Sequence, residues 1–218
     1  MKVLLFGATG MVGQGALREC LLDPGVESVV SVARSATGQS HPKLRELLHS
    51  DFLDFSGLES QLTGFDACFF CLGVSSAGMT EESYQRITYS FTMAAARVLA
   101  KLNPAMTFIY VSGAGTDSSE HGRSMWARVK GKTENELLRL PFRAFMLRPG
   151  LIVPLHGIKS KTKLYRVLYM LLGPVPLWLY RLFPKYVTTT ERLGRVMLQI
   201  ARTGYPKSVL ETDDISQV

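Results

Sequence analysis

The chain has 218 residues, enough for one α/β domain with a buried core. Hydrophobic residues make up 46% and charged residues 20% of it, a balance typical of globular and not of disordered proteins. The net charge is +7. The excess of basic residues lies between Glu136 and Glu191, where nine basic and no acidic residues occur. Aromatic residues are not interleaved with these lysines, so we expect no nucleic-acid partner.

Strand and helix patterns alternate along the chain. Buried strands are predicted at Lys2–Phe6, Val26–Ala33, Ala67–Leu72, Thr107–Ser112, Ala144–Arg148 and, as a short strand, Val209–Glu211. Helices are predicted at Met11–Leu22, Glu81–Leu102, Met125–Leu140 and 192–202. This alternation predicts an α/β fold of the Rossmann type, a doubly wound parallel sheet with helices on both faces, as a single domain over residues 1–218. Such a sheet binds ligands at the carboxyl ends of its strands.

A glycine-rich turn joins the first predicted strand to the first predicted helix. Its sequence is Gly7-Ala8-Thr9-Gly10-Met11-Val12-Gly13. A tight turn and a close approach of the backbone to a pyrophosphate both require glycine, and the helix N-terminus offers N–H groups to the phosphates. We therefore predict a nicotinamide dinucleotide site made by Gly7, Thr9, Gly10, Met11, Val12 and Gly13. The alternative is a tight turn without a ligand.

The residue that reads the ribose is expected at the end of the second strand. NAD-preferring sites carry an acidic residue there, which bonds the 2′-hydroxyl. Here the strand ends in Ala33-Arg34-Ser35, so Arg34 would meet a 2′-phosphate and Ser35 could donate a hydrogen bond to it. This favours NADP(H), with NAD(H) as the second choice. The alternative is an ordinary solvated arginine.

The three cysteines, Cys20, Cys68 and Cys71, show no metal-ligand spacing. Cys68 and Cys71 have CxxC spacing, but in a strand this odd separation points the side chains to opposite faces. We expect buried small hydrophobic residues and no metal site. Reduced thiols suit the cytoplasm, and the apolar strand pattern already begins at Val3, so the sequence predicts a cytoplasmic protein without a targeting signal.

The glycine turn, the element order and several later motifs resemble the short-chain dehydrogenase/reductase superfamily over nearly the whole chain. The likeness is greatest to its atypical branch of NAD-dependent epimerase/dehydratase-like and Tat-interacting-protein-like members. The resemblance implies that Asp51 and Phe52 contact adenine and that Cys71-Leu72-Gly73 lies against the pyrophosphate and ribose. It also implies that, after Arg148, Pro149 and Gly150 form a turn and that the residues from Leu151 to Val153 approach the nicotinamide carboxamide.

Catalysis in this family uses serine, tyrosine and lysine, with the tyrosine and lysine one helical turn apart. The segment Trp126-Ala127-Arg128-Val129-Lys130 matches that helix, so the resemblance implies that Lys130 bonds the nicotinamide ribose. Trp126 takes the place of the tyrosine, and an indole N–H is a donor that cannot shuttle a proton. The expected serine falls at Gly113, one residue from Ser112. Lys130, Ser112 and Trp126 therefore form a degenerate catalytic set.

Other residues could replace the tyrosine: Tyr84 and Tyr89 on the long predicted helix, or Ser118, Ser119 and His121 in the loop after the fifth strand. Two functions remain open. One is an oxidoreductase or isomerase that acts on an apolar carbonyl compound. The other is a non-catalytic regulator or scaffold that senses the cofactor.

A basic and aromatic segment, residues 155–187, is predicted to cap the substrate side of the fold. Leu164, Val167, Leu168, Leu171 and Leu172 form an apolar helical stripe. Two prolines and two arginines within Leu164–Phe183 argue against a transmembrane span, which needs about 20 apolar residues. Three interpretations remain: a small lid that lines an apolar substrate pocket, an oligomer interface, or an amphipathic contact with a membrane surface.

Overall fold

The computed structural model describes residues 1–158 and 185–218. Within them the strands are β1 (Lys2–Phe6), β2 (Ser28–Ala33), β3 (Leu44–Leu48), β4 (Ala67–Phe70), β5 (Thr107–Val111), β6 (Arg143–Arg148), β7 (Leu151–Val153), β8 (Val187–Thr189) and β9 (Val209–Glu211). The order β3-β2-β1-β4-β5-β6-β9 forms a sheet that is parallel throughout, and β7 pairs with β8 in a small parallel sheet. The predicted fold class is confirmed.

The helices of the described residues are α1 (Met11–Leu22), α2 (Glu81–Gln85), α3 (Phe91–Leu102), α4 (Met125–Leu137), α5 (Thr190–Thr203) and α6 (Thr212–Gln217). Between α2 and α3 the chain forms a π-helical turn, Arg86–Ser90. A short 3-10 turn, Glu59–Gln61, precedes β4. Of the helices in residues 1–158 and 185–218, none has the length and apolar character needed to cross a bilayer.

The central strands bury both of their faces, because each face is covered by helices. In β1, Val3 and Leu5 belong to the core beneath α1 and α5, whereas Leu4 and Phe6 belong to the core beneath α3 and α4. Helices α1 and α5 pack closely, since a Cβ on Gly15 would lie 2.5 Å from the Thr190 carbonyl oxygen. The continuous apolar runs of the sequence therefore report a sheet that is buried on both sides.

Two sequence expectations differ from the structure. Strand β3 was not among the predicted strands; it is an edge strand whose Arg45 and Leu48 are exposed, so its sequence has no clean apolar run. The helix predicted at Glu81–Leu102 is interrupted by the π-helical turn. The apolar stripe of the 155–187 segment lies outside the described residues, and its three interpretations stay predictions.

Candidate functional site

A cavity of about 940 Å³ runs along the carboxyl edge of the large sheet. The strand order reverses between β1 and β4, so the chain connections leave the sheet on opposite faces and open a crevice at this point. The glycine turn after β1 lies in the middle. Residues 33–35 after β2 line one end, and Trp126 and Lys130 of α4 line the other, beyond β4 and β5.

The glycine turn is closely packed against the neighbouring backbone. Gly7 has a φ of +80°, and a Cβ on it would lie 2.7 Å from the carbonyl carbon of Cys71. A Cβ on Gly13 would lie only 2.1 Å from the Gly7 carbonyl oxygen. Glycine at position 7 lets the turn lie directly against the end of β4, and glycine at position 13 lets helix α1 pack directly on the turn.

The first turn of α1 is suited to a pyrophosphate. Its N-cap is Gly10, which provides no side-chain hydrogen bond to the helix, and no acidic residue lies in this turn. The N–H groups and the positive end of the helix dipole are therefore available to an anion. A Cβ on Gly73, on the opposite wall, would meet no atom within 4 Å, so there is open space between the two walls. The residues present fit a dinucleotide.

Most of the residues proposed for the cofactor line this cavity: Gly7, Thr9, Gly10, Met11, Val12, Arg34, Ser35, Phe52, Cys71, Leu72, Gly73, Lys130, Pro149 and Gly150. The other three residues proposed for the cofactor, Gly13, Asp51 and Leu151, do not line the cavity. Gly13 lies behind the turn. The Asp51 carboxylate accepts a hydrogen bond from the Leu53 N–H at 3.0 Å, and Leu151 is 37% exposed while its neighbour Ile152 lines the cavity.

The charge of the cavity wall is positive in the described part of the chain. Arg34 and Lys130 line it at its two ends, and no aspartate or glutamate is among the lining residues. Arg34 and Ser35 are exposed at the end of β2, where the sequence placed the ribose. An anionic group at this end of the cavity would therefore meet the Arg34 guanidinium and no carboxylate among the described lining residues.

The π-helical turn places apolar side chains that the sequence analysis did not assign to the site. Ile87 lies within this turn and Phe91 directly after it, and both line the cavity together with Tyr84. Tyr84 is buried, and this burial raises the pKa of its phenol. A π-helical turn has no reliable sequence signal, and such turns are frequent at functional sites.

Of the five residues considered as substitutes for the tyrosine, Tyr84 is the one on the cavity wall. The ring of Tyr89 instead lies 4.7 Å below the Lys132 ammonium. The Ser118 hydroxyl accepts a hydrogen bond from Arg148 at 2.5 Å, and the Ser119 hydroxyl donates one to Asp117 at 2.6 Å. His121 is exposed in the same loop.

Lys130, Ser112 and Trp126 all line the far end of the cavity. The Lys130 ammonium donates a hydrogen bond to the Ser112 carbonyl oxygen at 2.5 Å. The Ser112 hydroxyl donates to the Leu147 carbonyl oxygen at 3.1 Å, so it is held by backbone. Trp126 packs towards the loop after β5, since a Cβ on Gly115 would lie 3.5 Å from its ring. The three residues are brought together, but the serine hydroxyl is engaged elsewhere.

The Lys130 ammonium lies in a desolvated position. Burial lowers the pKa of Lys130 from its ordinary 10.5 to about 8, and the nearby Glu134 charge opposes this shift in part. The ammonium also lies 5.9 Å from the centre of the Tyr110 ring. Because its pKa is lowered, Lys130 loses its charge at a lower pH than an exposed lysine does.

We expect Lys130→Met to stabilise the protein at pH 7 and to do so less at higher pH. Because the folded-state pKa lies below the ordinary value, the unfolded chain binds more protons between pH 8 and 10.5. The cost of burying the charge, at most about 3 kcal/mol, is therefore full below pH 8 and disappears towards pH 10.5. Urea denaturation of both proteins at several pH values measures this. A stability difference that is equal at pH 7 and pH 10 would contradict the prediction.

The cysteines follow the strand alternation. Cys68 lies in the core beneath α3 and α4, whereas Cys71 packs against the opposite core, which also contains Cys20. Burial raises the pKa of Cys68 and Cys20, and that of Cys71 to about 12. Within residues 1–158 and 185–218, no three His, Cys, Asp or Glu side chains group as metal ligands would.

Comparison with known proteins found curated proteins of similar sequence and solved structures of the same fold. No family model matches the chain. In sequence it is 24% identical over 214 residues to protein FMP52-2, mitochondrial, of Scheffersomyces stipitis, which covers 95% of this chain and 90% of that protein. It is 27% identical over 158 residues to protein FMP52, mitochondrial, of Candida albicans, covering 70% of this chain and 68% of that protein. It is 30% identical over 159 residues to protein fmp52, mitochondrial, of Aspergillus clavatus, covering 69% and 66%.

Three solved structures share the fold. The UDP-N-acetylglucosamine 4-epimerase of Methanobrevibacter ruminantium has a TM-score of 0.70 at 13% identity, covering 96% of this chain and 75% of that one. The enzyme WbmF of Bordetella bronchiseptica in complex with NAD+ has a TM-score of 0.67 at 15% identity, covering 99% and 76%. An oxidoreductase of the short-chain dehydrogenase/reductase family from Burkholderia thailandensis has a TM-score of 0.65 at 15% identity, covering 98% and 91%.

These findings define the fold. The chain has the Rossmann-type α/β fold that solved proteins of the short-chain dehydrogenase/reductase family and a sugar-nucleotide epimerase also have. Within that fold, its sequence is similar to the FMP52 proteins of fungi. The expected cytoplasmic location is wrong on this evidence, because those relatives are named as mitochondrial proteins. Free cysteines and a first strand at Lys2–Phe6 therefore do not indicate the compartment in which the protein is found.

Proposed function

We propose that the chain binds a nicotinamide dinucleotide along the cavity, with NADP(H) preferred over NAD(H), and that it is an oxidoreductase or isomerase acting on an apolar carbonyl compound. The observation that carries the proposal is a single cavity that joins the Gly7–Gly13 turn to Arg34 at one end and to Trp126 and Lys130 at the other. WbmF, which shares the fold, was solved with NAD+ and with NADH. Its resemblance supports the cofactor class, and Arg34 supports the preference.

When bound, the cofactor would supply or accept a hydride at its nicotinamide ring. The Gly10 N-cap and the first turn of α1 would hold the pyrophosphate, and Arg34 with Ser35 the 2′-phosphate. Lys130 would bond the nicotinamide ribose and place a positive charge beside the substrate. Apolar side chains at this end, Ile87, Trp126 and Ile152, favour an apolar substrate. We also propose that, within the superfamily, the chain belongs with the Tat-interacting-protein-like members.

A second candidate function is a cofactor-sensing regulator or scaffold without catalysis. Two observations favour it: Trp126 takes the place of the family's tyrosine, and the Ser112 hydroxyl is bonded to the Leu147 carbonyl oxygen. A regulatory partner, an oligomer or a membrane surface would then respond to cofactor binding. Titration with cofactor followed by turnover assays separates the candidates, because the regulator binds NADPH and reduces no carbonyl compound.

We expect Arg34→Ala to remove most of the preference for NADPH over NADH. A charge-assisted contact with the 2′-phosphate is worth roughly 1.5–3 kcal/mol, or about a ten- to hundred-fold change in affinity. Calorimetric titration with both cofactors measures it. Arg97→Ala is the matched control, because Arg97 is exposed on α3 and does not line the cavity. Equal affinities for NADPH and NADH in the unmodified protein would overturn the proposed preference.

A further inference from the structure

The substrate end of the cavity has an unusual set of ionisable groups for carbonyl reduction. In the described part of the chain, the ionisable side chains on the wall are Arg34, Cys71, Tyr84 and Lys130. Arg34 lies at the β2 end. Burial raises the pKa of the Cys71 thiol to about 12 and also raises that of the Tyr84 phenol, so both are poor proton donors. Lys130 is left as the charged group at this end.

Trp126 provides a flat aromatic face and one N–H donor at the same end. It lies one helical turn from Lys130 on α4, and its position is restricted by the loop at Gly115. Ile87 and Ile152 add apolar walls, and Tyr84 adds a second aromatic ring. Planar conjugated ligands gain from offset stacking on such rings, whereas an aliphatic ketone gains only apolar contact.

The chemistry of the acceptor decides whether a strong acid is needed. Hydride addition to a simple ketone leaves an alkoxide, which requires a proton at the same moment. Hydride transfer to one oxygen of a quinone makes the ring aromatic and leaves a hydroquinone anion at the other oxygen. Its charge is delocalised as in a phenolate, and its conjugate acid has a pKa near the phenol value of about 10. A nearby ammonium can stabilise that anion and then protonate it.

We propose that the Trp126–Lys130 end of the cavity is a binding site for planar quinone-class acceptors, a proposal that rests on the proposed function. Trp126 stacks its indole face on the quinone ring. A bound dihydronicotinamide would supply the hydride: its C–H bond would break, an O–H bond would form at one quinone oxygen, and the electron pair displaced through the ring would leave the negative charge on the other oxygen. The Lys130 ammonium gives one proton to the resulting oxyanion and regains it from solvent, so the sum is quinone plus hydride donor plus one proton to hydroquinone plus oxidised nicotinamide.

Binding without turnover tests the proposal first. The full chain, saturated with oxidised cofactor, is titrated by calorimetry with a methyl-substituted naphthoquinone and, separately, with cyclohexanone. We expect the quinone to bind at least about ten-fold more tightly. Trp126→Leu, which keeps apolar bulk but removes the ring, should weaken quinone binding by about three- to ten-fold. Trp126→Phe, which keeps a ring, should weaken it less.

A spectroscopic readout comes from the two tryptophans of the chain, Trp126 and Trp178. In a Trp178→Phe background the remaining fluorescence reports on Trp126, and the naphthoquinone should quench it with the same Kd as calorimetry gives. Anaerobic turnover with NADPH should then be at least about 100-fold faster with the quinone than with cyclohexanone or benzaldehyde, the range that a missing general acid costs.

The outcomes distinguish a failure of the quinone site from a failure of the proposed cofactor function. If the cofactor binds but the quinone does not, or if Trp126→Leu and Trp126→Phe both bind it as tightly as the unmodified chain, the quinone site is wrong and the cofactor function stands. Equal turnover of cyclohexanone and quinone would also overturn it. If no nicotinamide dinucleotide binds, the proposed function is wrong, and the quinone site is wrong as well because it rests on that function.

Discussion

Gly13→Ala is expected to destabilise the protein by about 3 kcal/mol and to abolish cofactor binding. The new Cβ would lie 2.1 Å from the Gly7 carbonyl oxygen, 2.6 Å from its carbonyl carbon and 2.9 Å from the Ala8 Cα. All three are backbone atoms of the turn, so no flexible side chain can move aside. Helix α1 would have to shift away from β1, and the N–H groups of its first turn would leave the wall of the cavity.

Gly73→Ala is the matched control for this prediction. Gly73 faces the same cavity, but a Cβ there meets no atom within 4 Å. We expect the stability of this variant to change by less than about 1 kcal/mol, while cofactor affinity falls if the pyrophosphate or ribose uses that space. Urea denaturation measures the first quantity and calorimetric titration the second. A Gly13→Ala protein that is as stable as Gly73→Ala would show that the turn can relax.

Glu134→Gln is expected to destabilise the protein by about 3 kcal/mol, because it breaks a buried ion pair. The side chain of Glu134 is 1% exposed and that of Arg148 is 10% exposed. The Arg148 Nε donates to both Glu134 carboxylate oxygens at 3.1 Å, and its Nη2 donates to Glu134 Oε2 as well. Glutamine keeps the shape but not the charge, which leaves Arg148 with the half-exposed Glu211 carboxylate at 3.0 Å.

The same helix offers a control two residues away. Glu136 pairs with Arg139, whose side chain is 73% exposed, and a surface pair of this kind contributes about 0–1 kcal/mol. Glu136→Gln should therefore lower the free energy of unfolding by less than about 1 kcal/mol. Both variants are measured by urea denaturation at pH 7. Equal losses in the two variants would mean that the Arg148–Glu134 pair contributes no more than a surface pair.

The Arg148–Glu134 pair was not visible in the sequence. The two residues lie on β6 and α4, and neither local periodicity nor a turn signal links them. In the sequence, Arg148 ends a predicted strand directly before the turn at Pro149, and nothing there indicates an ion pair. It also reaches Ser118 and Glu211, so one side chain connects the loop after β5, helix α4 and strand β9 beside the cavity.

The sequence by itself determined the fold class and the position of the cofactor turn. Both depend on local patterns: apolar runs that need cover on both faces, and glycines at the point where a strand becomes a helix. It also determined that Trp126 and Lys130 share one face of α4, since four residues make about one helical turn. The alternation that sends Cys68 and Cys71 to opposite cores is local in the same sense.

The tertiary structure alone decided which side chains form the substrate end of the cavity. The π-helical turn at Arg86–Ser90 sets where Ile87 points, and this turn packs against α4. The hydrogen bond from the Ser112 hydroxyl to the Leu147 carbonyl oxygen depends on two strands paired in the sheet. Phe52 and not Asp51, and Ile152 and not Leu151, line the cavity because of how neighbouring elements pack. Local patterns fix the period of an element, whereas the rotation of that element against its neighbours is set by contacts distant in sequence.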